Sequence, residues 1–215
     1  MLDKLRQTDV EHLWHPCTPI NAFEGSAFPV IERAEGVYLY EVGGRALLDG
    51  IGSWWCVNLG HSHTRLVEAI REQAPRLQHC ILGGMSHPNA IALAERLATL
   101  TPGDLQYSFF CGDGASAVEA ALKIAVQYWA NLGESKRTGF IALADGYHGD
   151  TLGAIGVGYV DDFHRDYRDL VRPAHRALSP HCLQCPCGKN PANCDIECFG
   201  SMERLVAEHH EGTAA

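Results

Sequence analysis

The sequence predicts an α/β fold in which a mainly parallel sheet is covered by helices. Residues 140–144 form a continuous apolar run, which is typical of a buried parallel strand. A glycine turn at 112–114 opens a long helical pattern, and strand-like and helix-like segments alternate around it. Only about two interior strands are visible before the last helix-like run at 201–210. We therefore expect the sheet to be truncated before it is complete.

Local patterns predict the elements in order. Prolines punctuate the irregular entry segment, and two apolar runs around Gly43–Gly44 predict a hairpin within residues 1–60. Leu66, Ile70 and Leu77 share one side of a helix from position 64 to about position 79, which Pro75 disturbs. Pro88 suits the first position of a helix over 88–100. Further helices are predicted over 115–131 and 201–210, and short strands over 106–111 and 140–144.

Composition excludes several classes of protein. The chain has 215 residues, of which 46% are apolar and 20% charged, as expected for a globular protein. Its net charge of −9 argues against nucleic acid as a partner, because phosphate backbones attract basic surfaces. No apolar run reaches the roughly 18 residues of a membrane span, and the charged start shows no apolar leader. We expect a cytoplasmic protein with no nucleic-acid and no membrane partner.

The turn at 111–119, with the sequence Cys-Gly-Asp-Gly-Ala-Ser-Ala-Val-Glu, offers a candidate anion site. Glycines let the backbone approach a ligand, and the free N–H groups at a helix start attract negative charge. Ser116 could add a hydroxyl group. Because the spacing fits neither the Walker A motif nor the dinucleotide-binding fingerprint, a purely structural turn stays open as the alternative.

A second polar cluster, Asp145–Thr151, follows the predicted strand at 140–144. Loops at the carboxyl ends of parallel strands bind ligands in open α/β folds. The structural alternative is a polar turn in which Asp150 caps the next helix. Trp54 and Trp55 likewise fit either core packing or the wall of a pocket for an extended or planar substrate.

Several blocks of sequence together resemble a known family. They are Trp14–Pro16, Asp49–Trp55, Gly83–His87, Ala117–Lys123 with Gln127–Trp129, and Gly146–Thr151. In order and spacing they are similar to the N-terminal half of the adenosylmethionine-8-amino-7-oxononanoate aminotransferases, the biotin-pathway branch of the class III pyridoxal-phosphate-dependent aminotransferases. The resemblance implies the fold type I of pyridoxal-phosphate-dependent transferases, with helices on both faces of the sheet, and a homodimer.

The resemblance also implies domains, a reaction and site residues. Residues 1–60 would belong to the small domain, and 61–215 would begin the large cofactor-binding domain, with a Cys-rich loop at 181–200. An amino group would move from S-adenosylmethionine to 8-amino-7-oxononanoate and give 7,8-diaminononanoate, with pyridoxal 5′-phosphate as the electron sink. Gly114 and Ala115 would hold the cofactor phosphate. Tyr147 would lie against the pyridine ring and near the substrate, and Trp54 would line the substrate pocket.

Three departures from the family pattern affect these expectations. Ala115 stands where the family usually has serine, so one hydroxyl contact is lost unless Ser116 replaces it. Cys17 stands where the family has an aromatic residue for substrate recognition, which leaves the amino donor open. The four lysines of the chain are Lys4, Lys123, Lys136 and Lys189. None matches the Schiff-base lysine of the family, so we assign no catalytic residue and do not expect this chain to transaminate alone.

Two alternatives remain. Five cysteines follow the spacing C-x2-C-x-C-x6-C-x3-C, namely Cys182, Cys185, Cys187, Cys194 and Cys198. Four thiolates at such spacings could hold zinc, and an iron–sulfur cluster is conceivable, but a reduced cluster is the simpler interpretation and we assign no metal. A non-catalytic aminotransferase half could then act as a binding or metal-holding protein. The other alternative is a class III aminotransferase for an ω-amino acid or a diamine.

Overall fold

A computed structural model describes the whole chain, Met1–Ala215, as two compact units, Met1–Leu93 and Ala94–Ala215. The helices are α1 (Leu2–His12), α2 (Gly52–Trp55), α3 (Thr64–Gln73), α4 (Pro88–Leu100), α5 (Gly114–Asn131), α6 (Leu152–Val157), α7 (Asp161–His164) and α8 (Phe199–His209). The strands are β1 (Ile31–Glu35), β2 (Tyr38–Glu41), β3 (Ala46–Leu48), β4 (Ile141–Leu143) and β5 (His175–Ala177).

None of the helices combines the length and apolar character that crossing a membrane requires. The domain division predicted after residue 60 stays a prediction.

The first unit contains a three-stranded antiparallel sheet in the order β1-β2-β3. Tyr38 pairs with Leu48 and Tyr40 with Ala46, so the predicted hairpin is confirmed. Gly43 and Gly44 form its turn with φ values of 108° and 91°, a region that favours glycine because it has no Cβ.

Of the four predicted helices, α3 and α4 begin at the predicted residue and α5 and α8 begin one and two residues earlier, while one helix ends early and one predicted strand is absent. α3 stops at Gln73, and Ala74 keeps helical backbone; Pro75 has no N–H group with which to continue the helical hydrogen bonds. The strand predicted over 106–111 is wrong: these residues form no regular secondary structure and pair with no strand. Tyr107 is 100% exposed there. Aromatic and apolar residues alone do not make a strand, since a strand needs a hydrogen-bonded neighbour.

The second unit is built on a parallel pair of strands. Ile141 of β4 lies opposite His175 of β5, and α8 lies against β5. This confirms the parallel pairing and the strand predicted at 140–144, although β4 is only half-buried. Ala154 and Ile155 of α6 and Ala177 of β5 are the buried apolar residues of the unit, and α6 packs against α5 and β4.

Candidate cofactor site

The start of α5 is an ordered turn capped by its own aspartate. Asp113 Oδ1 accepts the Ser116 N–H at 2.8 Å, and Oδ2 accepts the Ser116 hydroxyl at 2.7 Å. These bonds, with the Ser116 amide as the largest cause, lower the pKa of Asp113 below its usual value. The Ser116 hydroxyl is thus engaged with Asp113, and the structure does not show it replacing the serine that the family has at position 115. Gly114 faces open space, with no heavy atom within 4 Å of a Cβ placed there.

The loop after β4 lies directly on the start of α5. Gly149 is buried and has a φ of 114°. A Cβ at this position would lie 2.5 Å from the Cβ of Ala115 and 3.0 Å from its Cα. The backbone at Gly149 therefore approaches Ala115 more closely than a side chain at position 149 would permit. The two sequence clusters that carry the candidate site, 111–119 and 145–151, come together at this contact.

A carboxylate on α5 holds the same loop from its other end. Glu119 Oε1 accepts the Gly153 N–H at 2.7 Å, across the gap between α5 and α6. The hydroxyl of Thr151 is the largest cause that lowers the pKa of Glu119, and the amides of Gly153 and Ala154 add to it. A Cβ at Gly153 would fall 2.5 Å from the Glu119 carboxylate. The contact at Gly149 and the bonds of Glu119 thus bracket Asp150 and Thr151.

Tyr147 projects from this loop and is tied to it by its hydroxyl group. The Tyr147 hydroxyl donates to Asp150 Oδ2 at 2.9 Å, while the ring stays 51% exposed. Asp150 does not cap the next helix, because α6 has Thr151 as its N-cap residue. The structural alternative for this cluster is therefore wrong in that detail: Asp150 bonds to Tyr147 and to His164. His164 belongs to no motif of the sequence, and no local signal pointed to it.

Trp54 belongs to the first unit, where it lies in an unusual turn. Ser53, Trp54 and Trp55 in α2 all have left-handed backbone, with φ values of 47°, 61° and 65°. Such residues cost about 1–2 kcal/mol each, so neighbouring bonds must hold the turn. Asp49 does so by accepting the Ser53 N–H and the Ser53 hydroxyl, both at 2.8 Å. Trp54 is exposed, and its role in lining the substrate pocket stays a prediction.

We expect acid to destabilise the turn at Ser53–Trp55. The Ser53 amide, the His61 ring at 2.7 Å and the Ser53 hydroxyl lower the pKa of Asp49 to about 2. Because the pKa is lower in the folded than in the unfolded state, the stabilisation is complete above the unfolded pKa and is lost as the pH falls through about 2. We expect tryptophan fluorescence to change in that acid range, and Asp49→Asn to show the altered emission already at neutral pH. Asp104→Asn, at an exposed loop position, is the control; an acid transition that survives in Asp49→Asn would contradict the assignment.

The Cys-rich loop forms a separate feature of the second unit. Cys182, Cys185, Cys194 and Cys198 line a cavity of about 240 Å³. All nine cysteines of the chain are free thiols. The structure arranges no three histidine, cysteine, aspartate or glutamate side chains so that they could hold a metal ion.

Comparison with known proteins identifies the family. A sequence profile described as aminotransferase class-III matches residues 21–215. The adenosylmethionine-8-amino-7-oxononanoate aminotransferase of Anoxybacillus flavithermus is 44% identical over 204 residues, which cover 95% of this chain and 44% of that protein. The corresponding enzyme of Geobacter sulfurreducens is 39% identical over 212 residues, covering 98% of this chain and 47% of the relative. The chain thus spans about half the length of the curated relatives it matches.

Solved structures agree with this result. The crystal structure of adenosylmethionine-8-amino-7-oxononanoate aminotransferase from Methanocaldococcus jannaschii superposes with a TM-score of 0.87 at 36% identity, over 99% of this chain and 45% of that one. This likeness confirms the predicted α/β fold class. The chain belongs to the class III aminotransferase family.

Proposed function

We propose that this chain carries the cofactor-phosphate region of a pyridoxal-5′-phosphate-dependent aminotransferase of biotin synthesis. Its whole gene product would transfer an amino group from S-adenosylmethionine to 8-amino-7-oxononanoate and form 7,8-diaminononanoate. The observation that carries the proposal is the approach of Gly149 to Ala115, because it brings the loop of Tyr147 onto the helix start at Gly114. The names of the relatives support the choice of substrates, and a homodimer is part of the same proposal.

The residues at the start of α5 fit a phosphate group. No heavy atom lies within 4 Å of a Cβ placed at Gly114, and α5 is an 18-residue helix whose N-terminal dipole attracts an anion. The amides of Gly114 and Ala115 would bind the phosphate, while Asp113 orders the turn through Ser116. Tyr147 would orient the cofactor ring from the loop that Glu119 holds. When bound, pyridoxal phosphate supplies the electron sink for amino transfer.

The lysine that holds the cofactor covalently is not supplied by the four lysines of this chain. Lys123 lies within α5, and the Lys189 ammonium group pairs with Glu197 at 2.7 Å. Lys4 lies within α1, and Lys136 follows α5. We therefore propose that residues 1–215 bind and orient the cofactor and that the covalent attachment lies outside them.

Activity of the whole gene product tests the proposed reaction. The protein is purified with pyridoxal phosphate and incubated with 8-amino-7-oxononanoate and S-adenosylmethionine, and 7,8-diaminononanoate is measured by mass spectrometry. We expect product that depends on both substrates. Absence of product with every amino donor would overturn the proposal.

The same assay separates the second candidate function, a class III aminotransferase for ω-amino acids or diamines. The thiol of Cys17 leaves the amino donor open, because a thiol cannot stack on adenine as an aromatic ring can, whereas Trp54–Trp55 and Trp14–Pro16 favour the biotin enzyme. Parallel reactions therefore replace S-adenosylmethionine with an ω-amino acid or with a diamine. The same donors are also offered with a 2-oxo acid as the acceptor; amino transfer to that acceptor, with none to 8-amino-7-oxononanoate, would assign this second function.

The charge of Asp113 provides a prediction about cofactor affinity. Its carboxylate is anionic at neutral pH, since its pKa is lowered, and it lies beside the proposed phosphate site. Asp113→Asn keeps an oxygen that caps the Ser116 amide but removes the negative charge. We expect pyridoxal phosphate to bind about threefold more tightly at low ionic strength, with the gain declining as salt is added, because salt screens exposed charges.

Fluorescence titration with pyridoxal phosphate at two salt concentrations measures the effect of Asp113→Asn. Asp104→Asn removes the same charge from an exposed loop and serves as the control. Weaker binding in Asp113→Asn, or a gain that does not depend on salt, would contradict the prediction.

A further inference from the structure

His164, at the end of α7, is the most deeply buried large side chain of the protein. It is 1% exposed, and three aromatic rings surround it. The centroid distances from its ring are 5.8 Å to Tyr159, 6.1 Å to Phe163 and 6.1 Å to Tyr147. The planes of His164 and Tyr147 lie within 11° of parallel. A polar imidazole in such surroundings is costly unless both of its nitrogens are hydrogen-bonded.

Both nitrogens of His164 have partners, and the partners define the tautomer. The Val160 backbone N–H donates to Nδ1 at 3.0 Å, so Nδ1 must carry a lone pair and no proton. The proton therefore lies on Nε2, which donates to Asp150 Oδ1 at 3.1 Å. His164 is a neutral imidazole that points one N–H group at one carboxylate oxygen.

Asp150 connects this buried group to Tyr147. While Oδ1 accepts from His164, Oδ2 accepts the Tyr147 hydroxyl at 2.9 Å. The Asp150 side chain is otherwise largely exposed, so little else in this unit restrains its rotation. The backbone before it is fixed by the approach of Gly149 to Ala115. The rotamer of Asp150, and with it the direction of the Tyr147 hydroxyl, thus depends on the donor at His164.

We propose that His164 is a positioning residue that acts through Asp150 to hold the Tyr147 ring in the orientation needed against the cofactor. This inference rests on the proposed function, in which Tyr147 lies against the pyridine ring. His164 itself contacts neither cofactor nor substrate. Its N–H group holds Asp150 in one rotamer, and the hydrogen bond from the Tyr147 hydroxyl to Asp150 then fixes the orientation of the exposed Tyr147 ring.

Two substitutions separate the two hydrogen bonds of His164. Asn is shorter, so in His164→Asn the side-chain oxygen can still accept the Val160 N–H but no donor reaches Asp150. Gln is longer, so His164→Gln places an amide donor near the Nε2 position. In the whole gene product we expect His164→Asn to lower kcat/KM about tenfold, as for one lost bond to a charged group, and His164→Gln to restore most of it.

A double-mutant cycle distinguishes positioning from a general structural role. In the Tyr147→Phe background, the hydroxyl that Asp150 holds is absent, so His164→Asn should add almost no further loss. Equal losses in the two backgrounds would overturn the proposal. If His164→Asn fails to fold, His164→Phe, which keeps an aromatic ring but has no hydrogen-bond donor for Asp150, takes its place in the cycle, with the same expected coupling and the same contrary result.

A spectroscopic measurement tests the link without turnover. 3-Fluorotyrosine is introduced at position 147 of the whole gene product, and its 19F resonance is recorded in the absence of cofactor. We expect His164→Asn and Asp150→Asn to shift this resonance in the same direction, and His164→Gln to return it toward the parent position. An unchanged resonance in both would overturn the positioning role. An inactive parent protein in which the resonance shifts as expected would instead overturn the proposed function and leave the link between His164 and Tyr147 in place.

Discussion

Replacing Gly149 with alanine is expected to push the 145–151 loop away from α5 and to abolish tight cofactor binding. The new Cβ would lie 2.5 Å from the Ala115 Cβ, and the φ of 114° is one that side chains rarely adopt. Overpacking of this kind costs about 1–3 kcal/mol, and the strained backbone adds about 1–2 kcal/mol. We expect the free energy of unfolding to fall by about 3 kcal/mol, and the affinity for pyridoxal phosphate to fall by about tenfold or more because the binding groups are misplaced.

Gly146→Ala is the matched control for Gly149→Ala, since it adds the same methyl group in the same loop. Its Cβ would lie 3.5 Å from His148 Nε2, an ordinary contact, and Gly146 does not have a positive φ. Denaturant unfolding and a pyridoxal phosphate titration of the whole gene product measure both effects. Gly149→Ala with the stability and affinity of Gly146→Ala would show that the close approach to Ala115 does not organise the site.

Glu119→Gln is expected to loosen the same loop from its other end. The carboxylate accepts the Gly153 N–H at 2.7 Å and also accepts from the Thr151 hydroxyl. A glutamine side chain has only one oxygen that can accept, because its other terminal atom is an NH2 donor. Hydrogen bonds to a charged group contribute about 1.5–3 kcal/mol, so we expect a loss of about 2 kcal/mol in the free energy of unfolding. Cofactor affinity should fall with it, because Asp150 and Thr151 are no longer held.

The dependence on pH identifies Glu119 as the cause. The folded state lowers the pKa of Glu119, mainly through the Thr151 hydroxyl, so its stabilisation is present above the ordinary glutamate pKa and is lost as the pH falls through the folded value. The difference between the parent and Glu119→Gln should therefore be large at neutral pH and shrink in acid. Glu95→Gln, on an exposed part of α4, should match the parent throughout. A difference that is the same at every pH would contradict the role of the carboxylate.

The candidate site was partly predictable because its two halves are local motifs. A glycine turn before a long helix and a polar loop after a parallel strand are each typical of a ligand-binding loop. In α/β folds such loops lie at the same edge of the sheet. The resemblance to the class III family, with which these motifs agree, then assigned roles to Gly114, Ala115 and Tyr147 in particular. The engagement of Ser116 with Asp113 could not be predicted, since the same hydroxyl serves a cap or a ligand equally well in the sequence.

The sequence by itself determined what depends on neighbouring residues. The hairpin at Gly43–Gly44, the start of α4 at Pro88 and the long α5 follow from turn chemistry and periodicity, and the motif blocks identify the class III family. Only the tertiary structure decided the long-range partners: Glu119 on Gly153, Gly149 on Ala115, and His164 on Asp150. It also decided that residues 106–111 pair with no strand. The physical reason is that hydrogen bonds and close packing join groups far apart in the chain, and their geometry exists only after the elements are assembled.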